Sequence, residues 1–154
     1  MEQLHQQIID TLKSYIRNVP DFPKPGIQFK DITPLLKDAE ALELTMFMLA
    51  KPFLNKEIDY VMGIESRGFI FGAVLAEKLN AGFIPARKPN KLPYDTVEEA
   101  YELEYGQETI EMHKDALEKG SKVLLHDDLI ATGGSAAAAS RMVENAGAEL
   151  AGYS

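Results

Sequence analysis

The chain has 154 residues, 45% of them hydrophobic and 26% charged, with a formal net charge of −8. That length suits one domain burying roughly 68–70% of its unfolded surface, and the acidity argues against a nucleic-acid binder working through a broadly basic surface. No cysteine is present, which excludes disulfides and thiolate metal sites, while a small local cluster of cations for an anionic ligand stays compatible with the overall charge.

The N-terminal MEQLHQQIID has neither a basic n-region nor an apolar h-region, so no signal peptide is expected. No stretch approaches membrane-spanning length, and a cytoplasmic location is expected. Leu4, Ile8, Leu12, Tyr15, Ile16 and Val19 recur at helical spacing, predicting an amphipathic helix over 3–18. The following VPDFPKPGIQFKDITP holds Pro20, Pro23, Pro25, Pro34 and Gly26, which predict a rigid, irregular connection. A second helix is predicted over about 38–54, with Leu42, Met46 and Leu49 on its apolar face and Pro52 disturbing its end.

From Asp59 onward the pattern becomes strand, turn, helix, strand. A strand is predicted at 61–64, a turn at 65–68, a helix at 69–79 and a strand at 83–86. After the turn-rich RKPNKLPYD come two short strands, near 101–105 and 107–112. A strand at 122–125, a helix at 134–145 and a strand opening at 149–153 complete the chain. Such alternation implies βαβ units, and therefore an α/β fold with a mainly parallel central sheet flanked by helices. Ligands of such sheets sit beyond the carboxyl ends of the strands, where the polar turns 65–68, 87–91 and 127–135 all fall. The chain reads as a single domain over 1–154. Its end at GAELAGYS, a few residues into a strand, leaves a sheet position half filled in this reading. His5, His113 and His126 lack metal-ligand spacing.

Three clusters carry chemistry. In VLLHDDLIATGGSA, Gly133 and Gly134 let the backbone curl so that successive N–H groups point inward. Thr132 and Ser135 add hydroxyl donors, and the helix that starts there adds its positive end. Asp127 and Asp128 are acceptors suited to the vicinal hydroxyls of a ribose. Each of these residues alone is common at a strand end or turn. In this order, after an apolar strand, they describe a sugar-phosphate cradle. GIESRGFIFG joins a helix start to the fork of Arg67, and ARKPNKLP gathers Arg87, Lys88 and Lys91. Both suit a multiply charged anion, although taken singly a strand-to-helix turn and a solvated loop explain them.

VLLHDDLIATGGSA resembles the phosphoribosyl-pyrophosphate (PRPP) motif of type I phosphoribosyltransferases, departing from it at His126, where that family usually has an apolar residue. The resemblance implies that Asp127 and Asp128 face the ribose hydroxyls and that Ala131, Thr132, Gly133, Gly134 and Ser135 wrap the 5′-phosphate. It implies that Ser66 and Arg67 grip pyrophosphate, joined by Arg87, Lys88 and Lys91. FPKPGIQFKDITPLL resembles the N-terminal hood of the adenine-specific members, implying a hood over about 19–36 that reads the purine through Gln28, Phe29 and Lys30. YELEYGQETIEMHKDAL resembles their mobile lid, about 92–112, with Tyr105 on the lid and Glu104 as the catalytic acid. A last strand and C-terminal tail beyond Ser154 are implied as well.

The family so resembled transfers the phosphoribosyl group of PRPP to adenine, giving AMP and pyrophosphate. It uses Mg²⁺ held mainly by ligand oxygens and water, with no protein metal ligand directly assigned, and acts as a homodimer without nucleic-acid or membrane partners. Transfer to another purine base, and a non-catalytic PRPP-sensing regulator, are the alternatives left open by the residues.

Overall fold

The computed structural model describes residues 2–103, 106–130 and 132–154. They form two compact units, divided between Leu49 and Ala50.

In the first unit, α1 spans Glu2–Ser14, shorter than the predicted 3–18. Its end tightens through bonds from Tyr15 N–H to Leu12 O and Ile16 N–H to Lys13 O, each 3.1 Å. The chain then extends into β1, Arg17–Pro20, which pairs antiparallel with β2, Gln28–Asp31. The predicted irregular connection is thus largely a hairpin. Pro20 is tolerated because it closes the ladder opposite Gln28, where a missing N–H costs least. Arg17 Nη2 reaches Asp31 Oδ2 at 2.6 Å across the strands, and Phe22 packs edge-on against Phe29 with centroids 5.1 Å apart.

The helix predicted over 38–54 is α3 (Ala39–Ala50) continued by a 3₁₀ turn, Lys51–Phe53, and a short helix not predicted, α2 (Thr33–Lys37), precedes it. Pro34 stands at the start of α2, where its missing N–H is harmless. Asp38 breaks the run with an extended backbone, and its Oδ1 accepts the Ala41 N–H at 2.9 Å.

The second unit is built on β3 (Tyr60–Ile64), β4 (Gly82–Ala86), β7 (Lys122–His126) and β8 (Glu149–Tyr153), all parallel in the order β4-β3-β7-β8. Helix α4 (Gly68–Lys78) links β3 to β4, and α5 (Gly134–Asn145) links β7 to β8. Strand β8 occupies its sheet position through four registered pairs with β7, with one irregularity beside Val123 and Leu124. The segment predicted near 101–105 is instead β5, Thr96–Glu102, paired antiparallel with β6, Gln107–His113.

The core follows from strand alternation. Met62, Ile64, Val123 and Leu125 turn towards Ala138, Ala139, Met142 and Val143 of α5, with Ile110 and Met112 of β6 in the same cluster. The alternate residues of β3 and β7 face the α4 side, where Phe71 and Leu75 are buried. Among the described residues no helix is long and apolar enough to cross a membrane.

Candidate active site

Strand order fixes where the site lies. The chain leaves β3 towards one edge of the sheet and leaves β7 towards the other, so a crevice opens between their carboxyl ends. Those ends carry Glu65–Arg67 and Asp127–Asp128, the two clusters read as pyrophosphate and ribose contacts. A cavity of about 360 Å³ is lined there by Glu65, Ser66, Arg67, Lys88, Asp127, Asp128 and Leu129. Residues separated by some sixty positions in sequence, roughly two βαβ units apart, thus share one wall.

The acids are not alike. Asp128 Oδ2 stands 3.0 Å from Arg67 Nε, and its side chain is only 8% exposed. Asp127 Oδ1 accepts the Asp128 N–H at 2.9 Å. Burial, and then the neighbouring charge of Asp128, push the Asp127 carboxyl above the usual carboxylate range, with Arg67 opposing. Among the described residues no three His, Asp or Glu side chains converge as a metal cage. Two adjacent carboxylates facing a cavity suit a hard cation that arrives with phosphate oxygens and keeps part of its water.

Opposite them, the basic loop 87–91 is tied down at several points. The Arg87 guanidinium forks onto Glu65, Nε to Oε2 at 3.1 Å and Nη2 to Oε1 at 3.3 Å. Its Nη1 donates to the Lys91 carbonyl at 3.1 Å. Glu65 Oε2 also accepts the Lys88 N–H at 2.9 Å. Arg87 and Glu111 exchange both backbone bonds, at 2.8 and 2.7 Å. Burial alone would raise the Glu65 carboxyl, but bonds from Arg87 and Lys88 and the charges of Arg87 and Lys91 hold it below its ordinary value. Lys88 Nζ lies 3.6 Å from Glu108 Oε2.

The glycine-rich turn at 132–135 borders a second hollow of about 420 Å³, whose lining includes Tyr101, Glu102, Gln107, Thr132, Gly134 and Arg141. Gly133 stands at the N-cap of α5 with φ of 80°, a left-handed conformation that favours glycine. A Cβ on Gly134 would lie 3.0 Å from Tyr101 Cδ2 and 3.1 Å from the Glu102 carbonyl, so strand β5 walls the turn closely. Ser135 sits in the first turn of α5, whose N-terminal N–H groups have no intrahelical partners. Tyr101 OH donates to Glu108 Oε2 at 2.7 Å, and burial with that bond pushes the phenol up to about 12.

Ser66, Arg67, Lys88, Asp127 and Asp128 thus meet in one cavity, Arg87 and Lys91 belong to the loop beside it, and Thr132 and Gly134 share the next hollow. Gln28, Phe29 and Lys30 form β2 in the first unit, a two-stranded ladder whose second edge has no strand partner among the described residues. Glu104, Tyr105 and Ala131 lie outside the described residues. His126, the departure from the family pattern, ends β7 at 2% exposure, its ring edge-on to Phe71 at 6.0 Å. Neither ring nitrogen has a hydrogen-bond partner. Burial lowers its pKa, against the charge of Asp128 and a nearby Ser154 backbone group that does not reach bonding geometry. Sequence reasoning missed Glu65 and Glu111, acids that organise the basic loop. The one signal for Glu65 was its place inside the quoted GIESRG turn.

Residues 28–153 match the family described as the phosphoribosyl transferase domain. The adenine phosphoribosyltransferase of Christiangramia forsetii is 58% identical over 139 residues, covering 90% of this chain and 81% of that protein. The crystal structure of adenine phosphoribosyltransferase from Rhodothermus marinus superposes with a TM-score of 0.92 at 58% identity, covering 97% of this chain and 85% of that one. The Saccharomyces cerevisiae adenine phosphoribosyltransferase, complexed with an imino-altritol bisphosphate and adenine, gives a TM-score of 0.90 at 41% identity, covering 96% and 86%.

Proposed function

The chain belongs to the adenine phosphoribosyltransferase family, and from that premise we propose how its residues join adenine to the phosphoribosyl group of PRPP, releasing AMP and pyrophosphate. The observation that carries the reading is the convergence of Arg67, Lys88, Asp127 and Asp128 on one cavity at the sheet's switch point. Cations and carboxylates side by side in one cavity suit a ligand that carries both a diol and a pyrophosphate.

Asp127 and Asp128 accept from the ribose hydroxyls, fixing the sugar so that C1′ is oriented for attack. Ala131, Thr132, Gly133, Gly134 and Ser135 hold the 5′-phosphate with backbone N–H groups, hydroxyls and the positive end of α5. Ser66, Arg67, Arg87, Lys88 and Lys91 take the charge that grows on pyrophosphate as the C1′–O bond breaks. Mg²⁺, when bound to the ligand's oxygens, neutralises part of that charge. Glu104 supplies a carboxylate to the cationic reacting centre, and Tyr105 on the lid helps exclude water from a hydrolysable intermediate. Gln28, Phe29 and Lys30 of β2 read adenine through backbone N–H and C=O groups, which complement the donor and acceptor edge of the base. We also assign a cytoplasmic homodimer, for which Ile70 and Val74, exposed one turn apart on α4, offer an apolar contact.

The test is pyrophosphate release from PRPP and Mg²⁺ with adenine, hypoxanthine or guanine as acceptor. Adenine should be strongly preferred. Preference for a 6-oxopurine would overturn the specificity, and PRPP binding without pyrophosphate release would make the protein a sensor.

A further inference from the structure

The basic loop is held in shape by acids that do not themselves have the charge to bind an anion. Arg87 uses three of its N–H donors inside the protein, two on Glu65 and one on the Lys91 carbonyl. Glu65 also takes the Lys88 N–H at 2.9 Å, so one carboxylate fixes both the first side chain of the loop and its next peptide. On the far side, Glu111 Oε2 accepts the Asn90 N–H at 3.2 Å while its backbone bridges Arg87. The loop turns through Asn90 at φ of 64°, a left-handed conformation that asparagine adopts more readily than most side-chain-bearing residues. The Glu65 side chain is 16% exposed, which shields its fork from competition with water.

We infer that Glu65 is a positioning residue for the pyrophosphate half of the reaction: through the Arg87 fork and the Lys88 N–H it sets the loop so that Lys88 and Lys91 present their ammonium groups. A flexible lysine pair would otherwise have to be ordered by each arriving ligand, at a cost in side-chain and backbone freedom. Arg87 then acts mainly as the bridge between Glu65 and Lys91, adding its charge to the field. The inference rests on the proposed function, since it assumes that the cations receive pyrophosphate.

Two ligands separate this role from general structural support. Inorganic pyrophosphate with Mg²⁺ depends on the basic loop, whereas AMP has no pyrophosphate and depends on the ribose and phosphate contacts. Titration calorimetry on the full chain should show Glu65→Gln weakening pyrophosphate by roughly tenfold or more, the weight of one charge-assisted bond, with AMP affinity within about twofold. The PRPP KM should rise with it, while kcat falls less. Arg87→Lys, which keeps the charge and loses the fork, should give the same split, and the double variant should be no weaker than the weaker single. It also serves if Glu65→Gln fails to fold. Unchanged pyrophosphate affinity, equal loss for AMP and pyrophosphate, or additive effects in the double variant would each overturn the inference. Wild-type protein that binds both ligands but makes no AMP would instead refute the proposed reaction and leave the positioning role standing.

Discussion

Arg67 Nε and Asp128 Oδ2 stand 3.0 Å apart, a cation from the end of β3 held by an acid from the end of β7. The two groups assigned to opposite ends of one ligand thus hold each other. A ligand carrying both a diol and a pyrophosphate must come between them, exchanging one mostly buried pair for two new contacts.

Asp128→Asn should therefore split two properties. Loss of the diol acceptor should lower kcat/KM for AMP formation by roughly 10- to 100-fold, the weight of one or two charge-assisted hydrogen bonds. Inorganic pyrophosphate should bind as well or better, because Arg67 loses a competing carboxylate. Circular dichroism should be unchanged, and a wild-type turnover rate would remove the diol assignment.

Asp127 gives a stability prediction. Its carboxyl is raised above the ordinary 3.8 by burial and by Asp128, so the folded protein holds that proton more tightly than the unfolded chain does. Ionisation then costs stability, and the cost grows as pH rises from the ordinary value through the raised one. Asp127→Asn should melt higher at neutral pH by roughly 2–4 °C, about 1 kcal/mol in a chain of this size. The difference should disappear below the ordinary value, and equal melting temperatures at neutral pH would contradict the cause given.

His126 acts with the opposite dependence. Burial lowers its pKa, so the unfolded chain binds a proton that the folded one resists, and stability is lost as pH falls below the ordinary 6.5. His126→Leu removes two unpartnered buried nitrogens. It should stabilise the fold by about 1–3 kcal/mol and flatten the acid limb of a melting-temperature profile. An unaltered acid limb would show that other groups govern it.

Gly134→Ala probes the wall of the turn to which we assign the 5′-phosphate. The added methyl would meet Tyr101 Cδ2 at 3.0 Å and the Glu102 carbonyl at 3.1 Å, so the β5–β6 hairpin or the turn must give way. AMP affinity should fall by roughly tenfold, as misplacement of an orienting group does. Wild-type affinity would mean that the hairpin yields freely.

What the sequence made legible followed from strong local signals. The helix at 134–145 and the strand at 149–153 match α5 and β8 at both ends, because glycines and an abrupt change of period mark their limits. The parallel sheet followed from the alternation of elements, and the PRPP motif from residues contiguous in the chain. The hairpin of β1 and β2 was hidden because its prolines signal irregularity, while its stability comes from partners eight to fourteen positions apart, such as Asn18 with Lys30. Strand β5 was obscured by its adjacent glutamates, Glu98 and Glu99, which supply no apolar alternation of their own. Glu65 carries no motif signal for its role, because its partner Arg87 lies on a different strand end and the fork exists only in the fold.

The same pairing of charges governs how a ligand is captured. Arg67 faces Asp128, Arg87 faces Glu65 and Lys88 faces Glu108, at 3.0, 3.1 and 3.6 Å, in a chain whose net charge is −8. Such neutralised pairs project little positive potential past a Debye length of about 8 Å in physiological salt. These three cations therefore add little long-range pull on an anionic ligand, and what they contribute is felt close to contact.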